Sequence, residues 1–548
     1  MSAEQTDNSK QSKGVGALVH KQLLEFLRPD QIVVEQSQIE REARSTLPKQ
    51  RFPDLILYPE SLTEVQSIVK IANRSLIPIW YVSTGKNWGY GCRSASYSGG
   101  MTLILERMKR IELVDERLGY AVIEPGVTYA DLQNFLVKNG INLWTDSAGT
   151  TQSASIIGNA LDKGRGLTPY ADHFGMLCGL DVVMADGELL SAGPSHQYHC
   201  KHLYKWGVGP HLDGFFTQSN LGIVVRSGLW LMPKPEKFVF FAFEYHAESS
   251  RFGAFIEDFR KLVFNNGLLS RPHLANDFAM LCIVDRYPKD SLAAGERTLS
   301  ADTLQRWKKR HGVPDWTFGG GLYGTSAQIK AQKKLVRRHL SPYGKVRFLG
   351  DTTAESMMGK LYRNLIMFGA KLDGKSDQFI SQIFPAMDLF KGKPTDEFAK
   401  QVYFKSALPR PECSFSPTRD NCGFIWTGPL VPFAGEHITR VLEISQAIFK
   451  EYRFDYFVEL IVESPRVVIA LFGVFFDPRD REEAERAQGW YQRMRTRMNL
   501  EGYHPYRETS ESTGLALEGN PLLKTTLSRV KGALDERRIL APGRYGIF

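Results

Sequence analysis

From Thr145 to Gly175 the chain reads TDSAGTTQSASIIGNALDKGRGLTPYADHFG, small and polar, with Gly at 149, 158, 164, 166 and 175. Irregular stretches of this length are uncommon inside a compact domain, and most of those that occur are functional. Any fold for this chain must therefore wrap regular structure around a long loop rich in exposed backbone. Two other stretches share its character. Tyr81 to Gly91 (YVSTGKNWGYG) follows an apolar run, Ile77 to Trp80, that reads as a strand, and Gly207 to Gly222 (GVGPHLDGFFTQSNLG) leads into the strand-like IVVRSGLWLMP. Gly lets backbone N–H groups approach a ligand closely, and successive N–H groups form a nest suited to phosphate or pyrophosphate. The stretch Tyr81 to Gly91 is neither a GxxxxGK[ST] loop nor a GxGxxG fingerprint. Taken alone, GKNWGYG reads as a turn between strands; its company along the chain moves it towards a cofactor site.

A chain of 548 residues, 43% hydrophobic and 24% charged, has the composition of a soluble protein of two or three domains with a large buried core. The net charge of +9 is spread out, and its densest run, Lys330 to His339, reads as the solvated face of a helix. No nucleic-acid-binding pattern accompanies it, so nucleic acid is not expected as a partner. Cys92, Cys178, Cys200, Cys282, Cys413 and Cys422 show no CxxC pair and no metal-ligand spacing, which predicts free thiols, a reducing compartment and no metal. The polar N-terminus lacks the apolar core of a signal peptide, and nothing approaches the ~20 apolar residues of a membrane helix. A cytoplasmic protein with no membrane partner is the expectation.

Residues 15–45 read as one or two helices broken at Pro29-Asp30. Ser61, with Glu64 three residues on, predicts a capped helix that buries Val65, Ile68, Val69 and Ala72. MTLILE and AVIEPGVTY read as strands, YADLQNFLVKN as a helix stopped by Gly140, and LDVVMADGELL as a hairpin turning at Asp186-Gly187. Beyond residue 240, FVFFAFEYHAES reads as a strand, SSRFGAFIEDFRKLVFNNGL as a helix and FAMLCIVDRYP as another strand; residues 291–345 read as helical and charged. VLEISQAIFKEYRFDYFVELIVESPRVVIALFGVFFD reads helix, strand, strand, and residues 480–499 form a further helix. The pattern predicts an antiparallel sheet with helices on one side.

GKNWGYG, EPGVTYADL, IIGNALDKGRGLTPYADHFGMLCGL and GPHLDGFFTQSNLGIVV with GLWLMP together resemble the FAD domain of the vanillyl-alcohol oxidase and p-cresol methylhydroxylase family. The resemblance covers most of residues 50–548. It implies an α+β chain in which a two-subdomain, PCMH-type FAD-binding fold carries an antiparallel-sheet-plus-helices substrate cap domain. The implied layout is an N-terminal tail and helices (1–45), the FAD-binding domain (46–240), the cap (241–499) and a C-terminal segment returning to the FAD domain (500–548). Implied FAD contacts are Ser83, Thr84, Gly85, Lys86, Asn87, Gly89, Gly126, Ile157, Gly158, Asn159, Gly164, Tyr170, Gly222 and Ile223.

The same resemblance implies a phenol-oxidising site. Tyr90, Tyr506, Arg507 and Arg544 match positions that hold a substrate phenol as phenolate. A phenol titrates near ~10, so its buried oxyanion needs fixed donors and positive charge. Glu459 stands among apolar neighbours in FDYFVELIVE, where a carboxylate is costly without a task or a partner. It matches the glutamate of the methylhydroxylase branch that activates water against a p-quinone methide, and Glu412 matches a second acidic residue of that branch. Two departures stand out. Phe424 occupies the position of the histidine that carries the flavin in the oxidases, and Ser416 lies where the methylhydroxylases have a linking tyrosine, so FAD is expected to be non-covalent. Asp146 falls several residues short of the aspartate that approaches the flavin in the oxidases. The implied partners are a small para-substituted phenol, an electron acceptor that is either oxygen or a cytochrome or other carrier, and further copies of the chain in a homodimer or higher homo-oligomer. A non-phenolic alcohol substrate (alditol, lactone or cytokinin type) and a non-enzymatic flavin-fold binding protein remain as alternatives.

Overall fold

The computed structural model describes residues 16–350, 357–406, 408–409, 411 and 415–548. The polar first residues and Glu412 lie outside that set. Leu55–Leu57, Met101–Ile104 and Ile79–Val82 are apolar on both faces and run parallel, with Leu55 and Ile79 flanking Met101. Ile32–Val33 adds an antiparallel edge. The helix Leu62–Ser75 covers this sheet; Ser61 Oγ accepts from the Glu64 N–H, and Val65, Ile68, Val69 and Ala72 are buried. A second sheet, wholly antiparallel, is ordered Ile111–Asp115, Tyr120–Ile123, Ile223–Trp230, Leu177–Val183, Leu189–Ser191. Its last two strands form the expected hairpin, with Gly187 at φ +83° in the turn.

Leu143–Trp144 and Met232–Pro233 form a two-stranded ribbon, and the largest sheet is also antiparallel. Its order is Gly344–Gly350, Lys237–Tyr245, Trp316–Gly324, His273–Asn276, Val458–Ser464, Val467–Phe476, Gly423–Thr427, with Leu430–Pro432 also paired to Val467–Phe476. Helices Phe252–Phe264, Ser326–Leu340, Gly435–Glu451 and Arg481–Leu500 bury residues in one core that also holds Phe241, Phe243, Val458, Leu460 and Phe472 of the sheet. Phe457, Phe475, Phe424 and Trp426 belong to a different core, which includes Trp88 and Tyr90 of the Gly-rich loop. The sheet thus has those four helices on one side, while on the other the loop bearing Trp88 and Tyr90 packs together with residues of the helices Asp277–Val284 and Ala301–His311.

Two expectations fail here. FAMLCIV is the helix Asp277–Val284, not a strand. Asn276 caps it by accepting from the Ala279 N–H, and an apolar run buried almost all round carries no periodicity to separate helix from strand. Conversely, Trp316–Gly324 is a strand inside the supposedly helical 291–345. It reads poorly because it contains Gly319, Gly320 and Gly321; side chains at the first two would overlap the rings of Phe240 and Phe241 on the neighbouring strand. The basic run behaves as expected: Ile329, Val336 and Leu340 face the core while Lys333 and Arg337 lie over the Phe348 ring.

Candidate active site

The three irregular stretches meet in one cleft. It encloses about 1930 Å³, its solvent-open mouth included. Ser83, Thr84, Gly85, Lys86 and Asn87 line it from the first loop, Gly158, Asn159 and Gly164 from the second, and Gly222 from the third. The second loop is less irregular than its composition suggests, since Ile156–Leu161 is a short helix capped by Ser155 Oγ. Gly89, Gly126, Ile157, Tyr170 and Ile223 do not face the cleft. Ile157 and Ile223 are core residues. A Cβ on Gly126 would meet the Met108 carbonyl at 2.6 Å, and one on Gly89 would overlap Trp426, so both glycines serve close packing.

The cleft suits an anionic cofactor. Among the described residues, the backbone N–H groups of Gly85, Lys86 and Asn87 find no acceptor in the protein. Lys86 has no carboxylate within ion-pair distance, and burial lowers the pKa of its ammonium. Donors and a cation left unpartnered along one loop are the complement of a pyrophosphate. A Cβ on Gly158 would come within 2.8 Å of Ser83 Oγ, so the first and second loops close on each other only through a glycine.

Deeper in the cleft, Tyr90 and Tyr506 converge. Tyr90 Oη lies 3.3 Å from Tyr506 Oη, and the rings meet edge to face. The backbone holds them: the Ser510 N–H donates to the Tyr90 carbonyl (2.7 Å) and the Tyr506 N–H to the Gly428 carbonyl (2.9 Å). Burial raises the Tyr90 pKa well above its ordinary value, so its hydroxyl keeps its proton and can donate. The Arg507 guanidinium sits 5.0 Å from the Tyr90 ring centre and 5.1 Å from that of Tyr506. Its own donors go to the Asp162 carbonyl (2.9 and 2.6 Å) and to Asn87 Oδ1 (3.1 Å). Burial opposes its charge, but Tyr506, Asp162 and Tyr90 outweigh burial and hold it protonated. Arg544 is placed differently: it donates to the Tyr81 carbonyl at 3.1 Å and lies over the Trp80 ring, at the flank of the cleft.

Asp162, which the sequence reading passed over, ties these pieces together. Besides holding Arg507 through its carbonyl, its carboxylate accepts from Asn87 Nδ2 (2.9 Å) and Tyr545 Oη (2.9 Å). Asp146 is not in the cleft lining; it accepts from the Thr168 N–H and pairs with buried His173 at 3.0 Å, bracing the second loop.

Glu459 lies on the cleft floor with Ile461, Ile469, Leu471, Phe424 and Trp426. Its side chain is 14% exposed and burial pushes its pKa up to about 7. His273, also missed from sequence, faces it with Nδ1 3.9 Å from Glu459 Oε2. Phe424 is buried in the strand Gly423–Thr427, and Tyr403 Oη is occupied by Asp420 (2.6 Å) and the Ser416 N–H (2.8 Å). Among the described residues, no group of His, Cys, Asp and Glu could hold a metal ion, and no helix is long and apolar enough to cross a membrane.

Residues 53–193 match the model of an FAD binding domain. Over 498 residues the chain is 33% identical to 1'-carboxy-chondrochloren decarboxylase of Chondromyces crocatus, covering 89% of this chain and 90% of that protein. It is 27% identical over 533 residues to the 4-cresol dehydrogenase [hydroxylating] flavoprotein subunit of Pseudomonas putida, covering 95% and 94%. The fold superposes on 4-ethylphenol oxidase from Gulosibacter chungangensis, solved as its isoeugenol complex, with a TM-score of 0.86, 26% identity and 98% of each chain covered. The chain belongs to the vanillyl-alcohol oxidase and p-cresol methylhydroxylase family: it binds FAD and is an FAD-dependent oxidoreductase.

Proposed function

We propose that the enzyme oxidises para-substituted phenols, 4-alkylphenols or 4-hydroxybenzyl alcohols, at the benzylic carbon and then adds water to the resulting p-quinone methide. The observation that carries this reading is the convergence of the Tyr90 and Tyr506 hydroxyls beside the Arg507 charge. Two donors and a cation stabilise a phenolate, and the phenolate's electron density, delivered through the ring to the para carbon, favours departure of a hydride from the benzylic position. Bound FAD supplies the two-electron acceptor for that hydride. An alditol or lactone would have no use for such a clamp. Anaerobic addition of 4-ethylphenol should bleach the flavin, whereas 3-ethylphenol, which cannot form a para-quinone methide, should not. Bleaching by alditols but not by 4-alkylphenols would overturn the reading.

The fate of the quinone methide falls to Glu459. Water attacking the benzylic carbon must lose a proton, and a base within reach is worth ~10²–10⁴ in rate. A carboxylic acid titrating at about 7 accepts that proton only when ionised, so the ratio of alcohol to alkene should rise as pH increases through 7. Glu459→Gln should depress that ratio by ~10²-fold while leaving flavin bleaching near the wild-type rate. Product analysis by chromatography checks both; a variant with the wild-type ratio makes Glu459 a structural carboxylate.

The decarboxylase relative supports a second reading. A quinone methide bearing a carboxylate on the next carbon can release CO₂, its electron pair forming the alkene and restoring the phenolate. A 4-hydroxyphenylpropanoate probe distinguishes the outcomes, because only this route yields CO₂.

Non-covalent FAD is part of the proposal. Phe424 offers no nucleophile and Tyr403 is hydrogen-bonded elsewhere. Acid precipitation should leave the flavin in the supernatant; colour in the pellet would mean a covalent bond, with Cys422 and Cys413 the first residues to test.

A further inference from the structure

We propose that His273 relays the proton taken up by Glu459 to Glu463. The inference rests on the reading of Glu459 as the base for water addition. His273 stands opposite Ile461 on the neighbouring antiparallel strand, and Ala275 stands opposite Glu459. Side chains alternate along a strand, so Glu459 and Ile461 share a face with His273, whereas Glu463 sits at the bulge between Val462 and Ser464. Arg165 lines the cleft together with His273 and pairs with Glu463.

The unpartnered atoms fit this path. His273 Nε2 and Glu463 Oε2 are both buried without a hydrogen-bond partner, as is Arg165 Nε beside them. One is a potential donor and another an acceptor, and buried groups of this kind are normally joined by an ordered water. Nδ1, 3.9 Å from Glu459, faces the other way; catalytic hydrogen bonds are often this long before substrate binds. Burial pushes the imidazole pKa down to about 4, which keeps it neutral between proton transfers. Glu463 pairs with Arg165, which also pairs with Asp172 at 2.9 Å, and Arg271 lies close enough to lower its pKa further. Burial nevertheless raises the Glu463 pKa overall, leaving it able to accept a proton. The Asp146 charge partly offsets the effect of burial on His273.

The protons balance. Water's oxygen bonds to the benzylic carbon, one O–H bond breaks, and its proton goes to Glu459 while the ring electrons return to the phenolate oxygen. Glu459 passes the proton to His273 Nδ1, Nε2 gives one up through water to Glu463, and Glu463 loses it to solvent. Tautomer exchange through cavity water resets the ring. No oxidant or reductant is consumed in these steps.

The test uses 4-ethylphenol with the FAD-loaded full chain and two variants, His273→Ala and Glu463→Gln. In anaerobic single turnover with a pH-indicator dye, proton release should coincide with alcohol formation in wild type and lag it at least tenfold in both variants, with flavin bleaching unaffected. Steady-state alcohol formation should fall about tenfold, and added imidazole should restore it in His273→Ala, which a structural defect would not allow. Wild-type proton release in both variants, or no rescue by imidazole, overturns the relay. Failure of Glu459 itself shows separately, as an unchanged product ratio in Glu459→Gln.

Discussion

With Arg507 replaced by Ala, anaerobic flavin reduction by 4-ethylphenol should slow by about 10²–10³-fold, the loss typical of removing one preorganised oxyanion stabiliser. Arg507 is only 7% exposed, and its charge lies beside both tyrosine rings. Without it, the two hydroxyls remain but must hold a phenolate in a buried site with no counter-charge, so bound phenol should keep its proton. Ultraviolet difference spectra of a bound, non-oxidisable phenol should show phenolate at neutral pH in wild type and phenol in the variant. Lysine should recover little, because a single ammonium cannot reproduce the planar fork that engages the Asp162 carbonyl and Asn87 together. Wild-type bleaching in Arg507→Ala would mean that substrate is not held as phenolate.

Gly85→Val should give colourless protein that does not take up FAD on reconstitution. Gly85 has φ +67°, a conformation that costs a β-branched residue on the order of 1–3 kcal/mol. Its added side chain would also collide with Arg93. Arg93 cannot easily yield, since its guanidinium is clamped between Glu42 and Glu106. The loop would have to move, taking the free N–H groups of Gly85, Lys86 and Asn87 with it. Circular dichroism should remain native, separating a lost cofactor seat from a lost fold. A yellow Gly85→Val protein would place the pyrophosphate elsewhere.

The residues readable from sequence were those whose type is at odds with their surroundings. Glu459 is a carboxylate in an apolar strand, and the glycine loops are backbone without side chains, so both announce themselves. His273 does not: RPHLAND is unremarkable in composition, and its meaning comes only from the register that sets Ala275 opposite Glu459. Asp162 escaped for a different reason. It anchors Arg507 through its carbonyl, a group every residue has. Arg544 is carried by its motif, while its contacts with the Tyr81 carbonyl and the Trp80 ring depend on residues more than 400 positions earlier. The missed strand Trp316–Gly324 follows the same logic, because its glycines are explained by Phe240 and Phe241, residues about eighty positions earlier.

The knot at Asp162 also bears on how the enzyme is made. Its partners are Asn87, Arg507 and Tyr545, the last two separated from it by 345 and 383 residues of chain. Translation runs from the N-terminus at about 5–20 residues per second, so the glycine loops leave the ribosome some tens of seconds before Arg507 and Tyr545 exist. Until then the clamp lacks its cation and one of its tyrosines. Assembly of the site therefore waits for the segment that carries Arg507 and Tyr545, and a nascent chain arrested before residue 507 should lack the phenolate-binding signal of the enzyme.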